Sequence, residues 1–101
     1  MAYTKISFII LTWNSEKYIE KCLASIENMT GIDKEIFVVD NGSTDLTKSI
    51  LKKHDISAIF LDKNMGTTYP RNLAIKKCGK DSEFICILDS DTEINEQAFI
   101  N

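Results

Sequence analysis

Short apolar runs alternate with helix-spaced apolar residues from end to end of this chain of 101 residues, and little else about it constrains the fold as strongly. Residues 6–11, 35–39, 57–61 and 84–88 are short, largely apolar segments rich in β-branched side chains. Such runs read as strands covered on both faces. Between the first two, Tyr18, Ile19, Cys22, Leu23 and Ile26 recur at the spacing of one helix face, with Asn14 or Ser15 as the N-cap. Ser43 or Thr44 caps a second helix whose inner face is Leu46, Ile50 and Leu51. Pro70 suits the first turn of a third, with Leu73, Ala74, Ile75 and Cys78 buried and Gly79 as its C-terminal cap. The order β-α-β-α-β-α-β implies one doubly wound α/β domain over residues 1–101, its sheet mainly parallel and its helices on both faces. Residues 95–101 begin like a capped helix and stop after about one turn, too short to be stable alone. The chain therefore reads as the front part of a longer, C-terminally truncated protein.

Composition removes several alternatives. With 44% apolar residues, four glycines and one proline, the sequence is neither collagen-like, linker-dominated nor disordered. No apolar run approaches the ~20 residues that span a bilayer, and the N-terminus lacks a cleavable signal pattern. The expectation is a cytoplasmic domain without a transmembrane segment, at most peripheral to a membrane in the full-length protein. A formal charge of -3 with scattered lysines argues against nucleic acid as a partner. Cys22, Cys78 and Cys86 lack CxxC spacing and read as reduced, mostly buried thiols.

Ligands of open parallel sheets bind beyond the carboxyl ends of the strands. Those ends read Thr12-Trp13-Asn14, then Asp40-Asn41-Gly42-Ser43-Thr44-Asp45, then Asp62-Lys63-Asn64-Met65-Gly66, then Asp89-Ser90-Asp91-Thr92-Glu93. The amino ends carry no comparable set. Ser43 and Asp45 read as turn and cap residues. Asp89 and Asp91, two residues apart past a buried strand, would repel one another unless a cation lay between them. Hard oxygen ligands suit Mg²⁺ or Mn²⁺, whose shells are commonly completed by phosphate oxygens, so the pair points to a diphosphate-bearing substrate. Arg71, the single arginine, reads equally as a grip on a base or phosphate and as a surface ion pair. His54 reads as an exposed residue favoured by a helix dipole. Trp13 reads as partly buried packing, with stacking on a ligand as the alternative.

These segments together, Ile6 to Asn14, Val38 to Asp45, Asn64-Met65-Gly66 with Arg71-Asn72, and Leu88 to Asp91, resemble family 2 glycosyltransferases of the Rossmann-like GT-A fold. The likeness runs through essentially the whole chain, in order. It implies the nucleotide-sugar-binding half of an inverting transferase, taking a UDP-, GDP- or dTDP-sugar. Asp40 would bond the nucleobase, with Thr12 and Asn14 beside it and Arg71 near the base. Asn41, Asn64, Gly66 and Ser90 fall within the matching donor-site motifs. Asp89 would lie near the ribose, and Asp91 would bind the metal on the diphosphate, with Asp89 as a second ligand. Leu11 and Pro70 depart from the usual residues at their positions. The general base and the acceptor-binding elements belong to a later segment, and Glu93 and Glu96 are misplaced for that role. The saccharide, lipid or protein acceptor is not legible.

Two other classes are open to the same residues. A non-enzymatic nucleotide-binding or interaction module is one. A phosphohydrolase with Asp89 as nucleophile ranks below it, because Glu93 stands where Thr or Val is wanted. Neither GxGxxG nor GxxxxGK follows the first strand, which excludes a dinucleotide fingerprint and a P-loop. Truncation would leave the fourth strand with an uncovered edge or apolar face, and self-association through it is expected.

Overall fold

A computed structural model describes residues 5–78 and 82–91. Four strands, β1 (Lys5–Thr12), β2 (Asp33–Asp40), β3 (Ser57–Phe60) and β4 (Phe84–Asp89), alternate with three helices, α1 (Ile19–Glu27), α2 (Thr47–Leu51) and α3 (Thr68–Lys77). The strands form one sheet in the order β3-β2-β1-β4, every neighbouring pair parallel. β1 pairs with β2 from Lys5–Asp33 to Thr12–Asp40, and with β4 from Ile6–Phe84 to Leu11–Asp89. The expected α/β architecture is therefore present.

The side-chain alternation of β1 divides the core into two layers. Ile6, Phe8 and Ile10 face α1 and α2 and pack with Ile19, Leu23, Ile26, Ile36, Val38 and Leu51. Ile9, on the opposite face, packs with Phe37, Val39, Ala74 and Cys78 under α3. Fully burying a side chain such as Phe8 or Leu23 contributes about 1.5–3 kcal/mol, so β1, lined on both faces, anchors the domain.

Several local expectations change. α1 starts at Ile19, although the Ser15 carbonyl already accepts the amides of Tyr18 and Ile19; Tyr18 thus falls outside the inner face and is 54% exposed. α2 has only five residues, and its first amide, Thr47 N–H, is met by Asp45 Oδ1 at 2.9 Å rather than by Ser43 or Thr44. Leu46 precedes the helix and is 61% exposed. In α3, Pro70 and Ala74 are buried but Ile75 is exposed. β4 is not covered on both faces: Phe84, Ile85 and Ile87 are 61%, 45% and 40% exposed, because β4 is a sheet edge and α3 packs over β1 and β2. The Gly79 cap and the helix start at residues 95–101 lie outside the described residues.

His54 also departs from expectation. Its side chain is only 12% exposed and sits between two glutamates of α1, with Nε2 3.0 Å from Glu20 Oε2 and Nδ1 3.0 Å from Glu27 Oε2. Burial opposes a charge on the ring, but hydrogen bonds and charge from Glu20 and Glu27 outweigh it and hold the His54 pKa above its ordinary value.

Candidate functional site

In the order β3-β2-β1-β4 the chain winds outward from β1 in one direction and then crosses to its other side, so the topological switch lies between β1 and β4. A crevice beyond the strand ends is expected there. A hollow of about 230 Å³ opens at that place, lined by Leu11, Thr12, Trp13, Asn41, Asn64, Gly66, Thr67, Arg71, Ile87 and Asp89. Its apolar floor comes from Leu11 and Ile87, which lie on the α3 face of the sheet with Ile9, beside the part that α3 covers. Trp13, half exposed, forms part of the wall rather than packing into the core. Arg71, in the first turns of α3, brings the one guanidinium to the same opening. Thr12 Oγ1 is fully buried and has no hydrogen-bond partner among the described residues.

Asn41 ties two of the lining loops together. Its Nδ2 donates to Gly66 O at 2.8 Å and to Asn64 Oδ1 at 3.2 Å, while its Oδ1 accepts Met65 N–H at 2.8 Å. Gly42, at φ +80°, makes the tie possible: a Cβ there would stand 2.5 Å from the Lys63 backbone. Asn41, Asn64 and Gly66 therefore line the hollow and also hold each other in place.

The loop after β1 is held by two parallel relays. Asn14 N–H donates to Ser43 Oγ at 2.9 Å, and Ser43 Oγ donates to Asp40 Oδ1 at 2.5 Å. Ser15 N–H donates to Thr47 Oγ1 at 2.8 Å, and Thr47 Oγ1 donates to Asp45 Oδ1 at 2.5 Å. Asp45 Oδ2 also accepts Glu16 N–H at 3.2 Å. Burial works against the Asp45 charge, yet the hydrogen bonds from Thr47 and Glu16 prevail and keep its carboxyl below the usual range. Asn14 adopts a left-handed backbone, φ 47°, with Oδ1 accepting Thr44 N–H at 2.8 Å. Ser43 and Asp45 thus do more than shape a turn. They brace the β1–α1 loop from the segment after β2.

The acidic residues do not all meet. Asp89 lines the hollow, and Asp91 is exposed two residues further along. Asp40 is fully buried and is not part of the lining; its Oδ2 accepts Ser43 N–H at 3.0 Å in addition to the Oδ1 bond. Asn14 does not line the hollow either, and Ser90 turns inward, its Oγ 2.6 Å from Ser15 Oγ. Asn14, Asp40 and Ser90 are therefore not brought to the opening with Thr12, Asn41, Asn64, Gly66, Arg71 and Asp89. Leu11, Trp13, Thr67 and Ile87 line it without having been assigned to it from sequence. The β1 end flagged Trp13, but Thr67 and Ile87 carried no chemical signal.

Among the described residues no group of three or more His, Cys, Asp or Glu side chains is arranged to hold a metal. Asp89 and Asp91 offer two hard carboxylates, a set that fits Mg²⁺ or Mn²⁺ when phosphate or water oxygens supply the remaining positions. A second hollow, about 440 Å³, lies at the opposite edge among Glu27, Lys34, Glu35, Asp55, Ile56 and Ser57. The amino ends are thus not bare of charge. Lys34 is committed there to Met29 O at 2.5 Å, and no aromatic or guanidinium group joins it. The carboxyl-edge hollow is the better candidate.

A family model described as glycosyl transferase family 2 matches residues 7–100. The chain is 37% identical over 100 residues to the poly(ribitol-phosphate) beta-N-acetylglucosaminyltransferase TarS of Staphylococcus aureus, covering 92% of this chain and 17% of that protein. It is 33% identical to the teichoic acid poly(glycerol phosphate) polymerase of Staphylococcus epidermidis, covering 93% of this chain and 14% of the relative. The crystal structure of S. aureus TarS 1-349 in complex with UDP-GlcNAc superposes with a TM-score of 0.84 at 36% identity, over 96% of this chain and 29% of that one. A mannosyltransferase from Pyrobaculum calidifontis, solved with GDP-Man and Mn²⁺, shares the fold with a TM-score of 0.82 at 24% identity, over 98% of this chain and 31% of that one. This chain thus spans well under half of each relative's length. Among its described residues no helix is long and apolar enough to cross a membrane.

Proposed function

The chain belongs to glycosyl transferase family 2, and from that membership we propose that it is the donor-binding part of an inverting sugar transferase. One observation carries the reading: the hollow at the β1–β4 switch point joins an aromatic wall, a guanidinium and a strand-end carboxylate in Trp13, Arg71 and Asp89. Trp13 offers a face on which a base can stack, with Thr12 and Asn64 in the lining beside it. Arg71 supplies positive charge for a base carbonyl or a phosphate oxygen. Asp89 and Asp91 would hold Mg²⁺ or Mn²⁺. That cation, when bound, supplies positive charge against the diphosphate of the donor. Asp40 contributes through Ser43 and Asn14, keeping the loop that carries Trp13 in place.

In the proposed reaction an acceptor hydroxyl attacks the anomeric carbon. The new C–O bond forms as the bond to the diphosphate breaks, the nucleoside diphosphate departs, and the acceptor proton passes to a base outside this chain. Solved TarS holds UDP and UDP-GlcNAc in its complexes, which makes a UDP-sugar the first donor to test. Calorimetric titration of UDP into this chain, with and without Mn²⁺, tests the reading. Metal-enhanced binding that Asp91→Ala abolishes supports it. Absence of binding to UDP, GDP and dTDP by a folded chain overturns it in favour of an interaction module. Self-association through the uncovered side of β4 belongs to the same proposal.

A further inference from the structure

Ser90 is the middle residue of the acidic turn, yet its side chain does not face the hollow. Its Oγ lies 2.6 Å from Ser15 Oγ, and Ser15 Oγ in turn lies 3.1 Å from Trp13 O. The direction of this chain of bonds follows from its chemistry. A carbonyl only accepts, so the single Ser15 hydroxyl proton goes to Trp13 O, and Ser90 must donate to Ser15. Ser15 is itself 6% exposed and fixed by its backbone, with N–H on Thr47 Oγ1 and C=O accepting the first amides of the α1 turn. One buried hydroxyl therefore connects the residue carrying the aromatic wall to the turn carrying Asp89 and Asp91.

We propose that Ser15 and Ser90 are paired positioning residues that lock the acidic turn against the Trp13 loop, so that metal and nucleotide binding reinforce one another. The proposal rests on the donor-site reading above. With Ser90 tethered inward, the residues on either side of it hold fixed places, Asp89 at the hollow and Asp91 in solvent beside it. Without the tether, the turn must be ordered when the cation binds, and that ordering weakens the apparent affinity.

The test compares UDP affinity with and without Mn²⁺ in the wild-type chain, Ser15→Ala, Ser90→Ala and the double variant. The gain in UDP affinity on adding Mn²⁺ is expected to fall about threefold to tenfold in each single variant. The double variant should fall no further than Ser15→Ala, because both single changes remove the Ser15–Ser90 bond. Ser90→Thr, which keeps the hydroxyl, should restore most of the gain. Amide hydrogen exchange of the free chain gives a second readout: Ser15→Ala should speed exchange at residues 90 and 91 relative to wild type. A Mn²⁺-dependent gain unchanged in both single variants, or additive losses in the double, overturns the coupling while leaving the donor-site reading intact. If wild type binds no nucleotide, the donor-site reading fails, and unchanged exchange in Ser15→Ala then removes the tether as well.

Discussion

Asp40 is the residue at which sequence and structure differ most instructively. Its place at a strand end, in a motif shared with sugar transferases, assigned it to a base. The fold buries it and gives both carboxylate oxygens to Ser43, three residues on. The Asp-Asn-Gly-Ser turn was legible locally. The link to Asn14 was not, since it joins positions 29 residues apart. Asp40→Ala is expected to lower stability by about 1–3 kcal/mol, because the Ser43 donors lose their partner in a buried setting. Urea denaturation followed by circular dichroism checks this, and Asp40→Asn should lose less than Asp40→Ala. Gly42→Ala should also destabilise, by about 1–3 kcal/mol, since it combines a left-handed backbone with a Cβ 2.5 Å from Lys63. The same denaturation series measures it.

At the level of elements, strands were legible and helix faces less so. β1 and β2 announce themselves by continuous apolar runs, and the ladder merely extends them into polar ends at Lys5, Thr12, Asp33 and Asp40. Helix faces depend on where the helix begins. α1 and α2 begin later than their expected caps, at Ile19 and Thr47, so Tyr18 and Leu46 precede them and are exposed. His54 was misread because its partners, Glu20 and Glu27, come from α1, far away along the chain. It joins the chain after α2 to α1, and this contact carries a pH dependence. The folded pKa lies above the ordinary 6.5 of the unfolded chain. Its contribution is therefore fully present below that value and fades as pH rises through the folded pKa. As pH rises from about 6 through the folded pKa the contact should lose about 0.5–1 kcal/mol. Urea midpoints over that range should decline in wild type more steeply than in His54→Gln.

For the whole molecule, the alternation of periods was enough to read a parallel α/β sheet. The strand order was not written in any residue, because it depends on which side of β1 the last crossover takes. That choice creates the hollow, and among the described residues it also puts β4 at an edge, with Ile85 and Ile87 on the α3 face but beyond the part that α3 covers. An open ladder edge beside apolar side chains favours association. Size-exclusion chromatography at rising concentration should move this chain toward larger species, and Ile85→Lys should return it to monomer. Elution that does not change with concentration would count against the surface.

The amide of Asn41, clasping Asn64 and Gly66, has a bearing on engineering. Exchanging only one of these two loops for a relative's would remove either the Asn41 amide or its Asn64 side-chain partner from the clasp. Transplants should carry residues 41–44 and 63–66 as a single cassette.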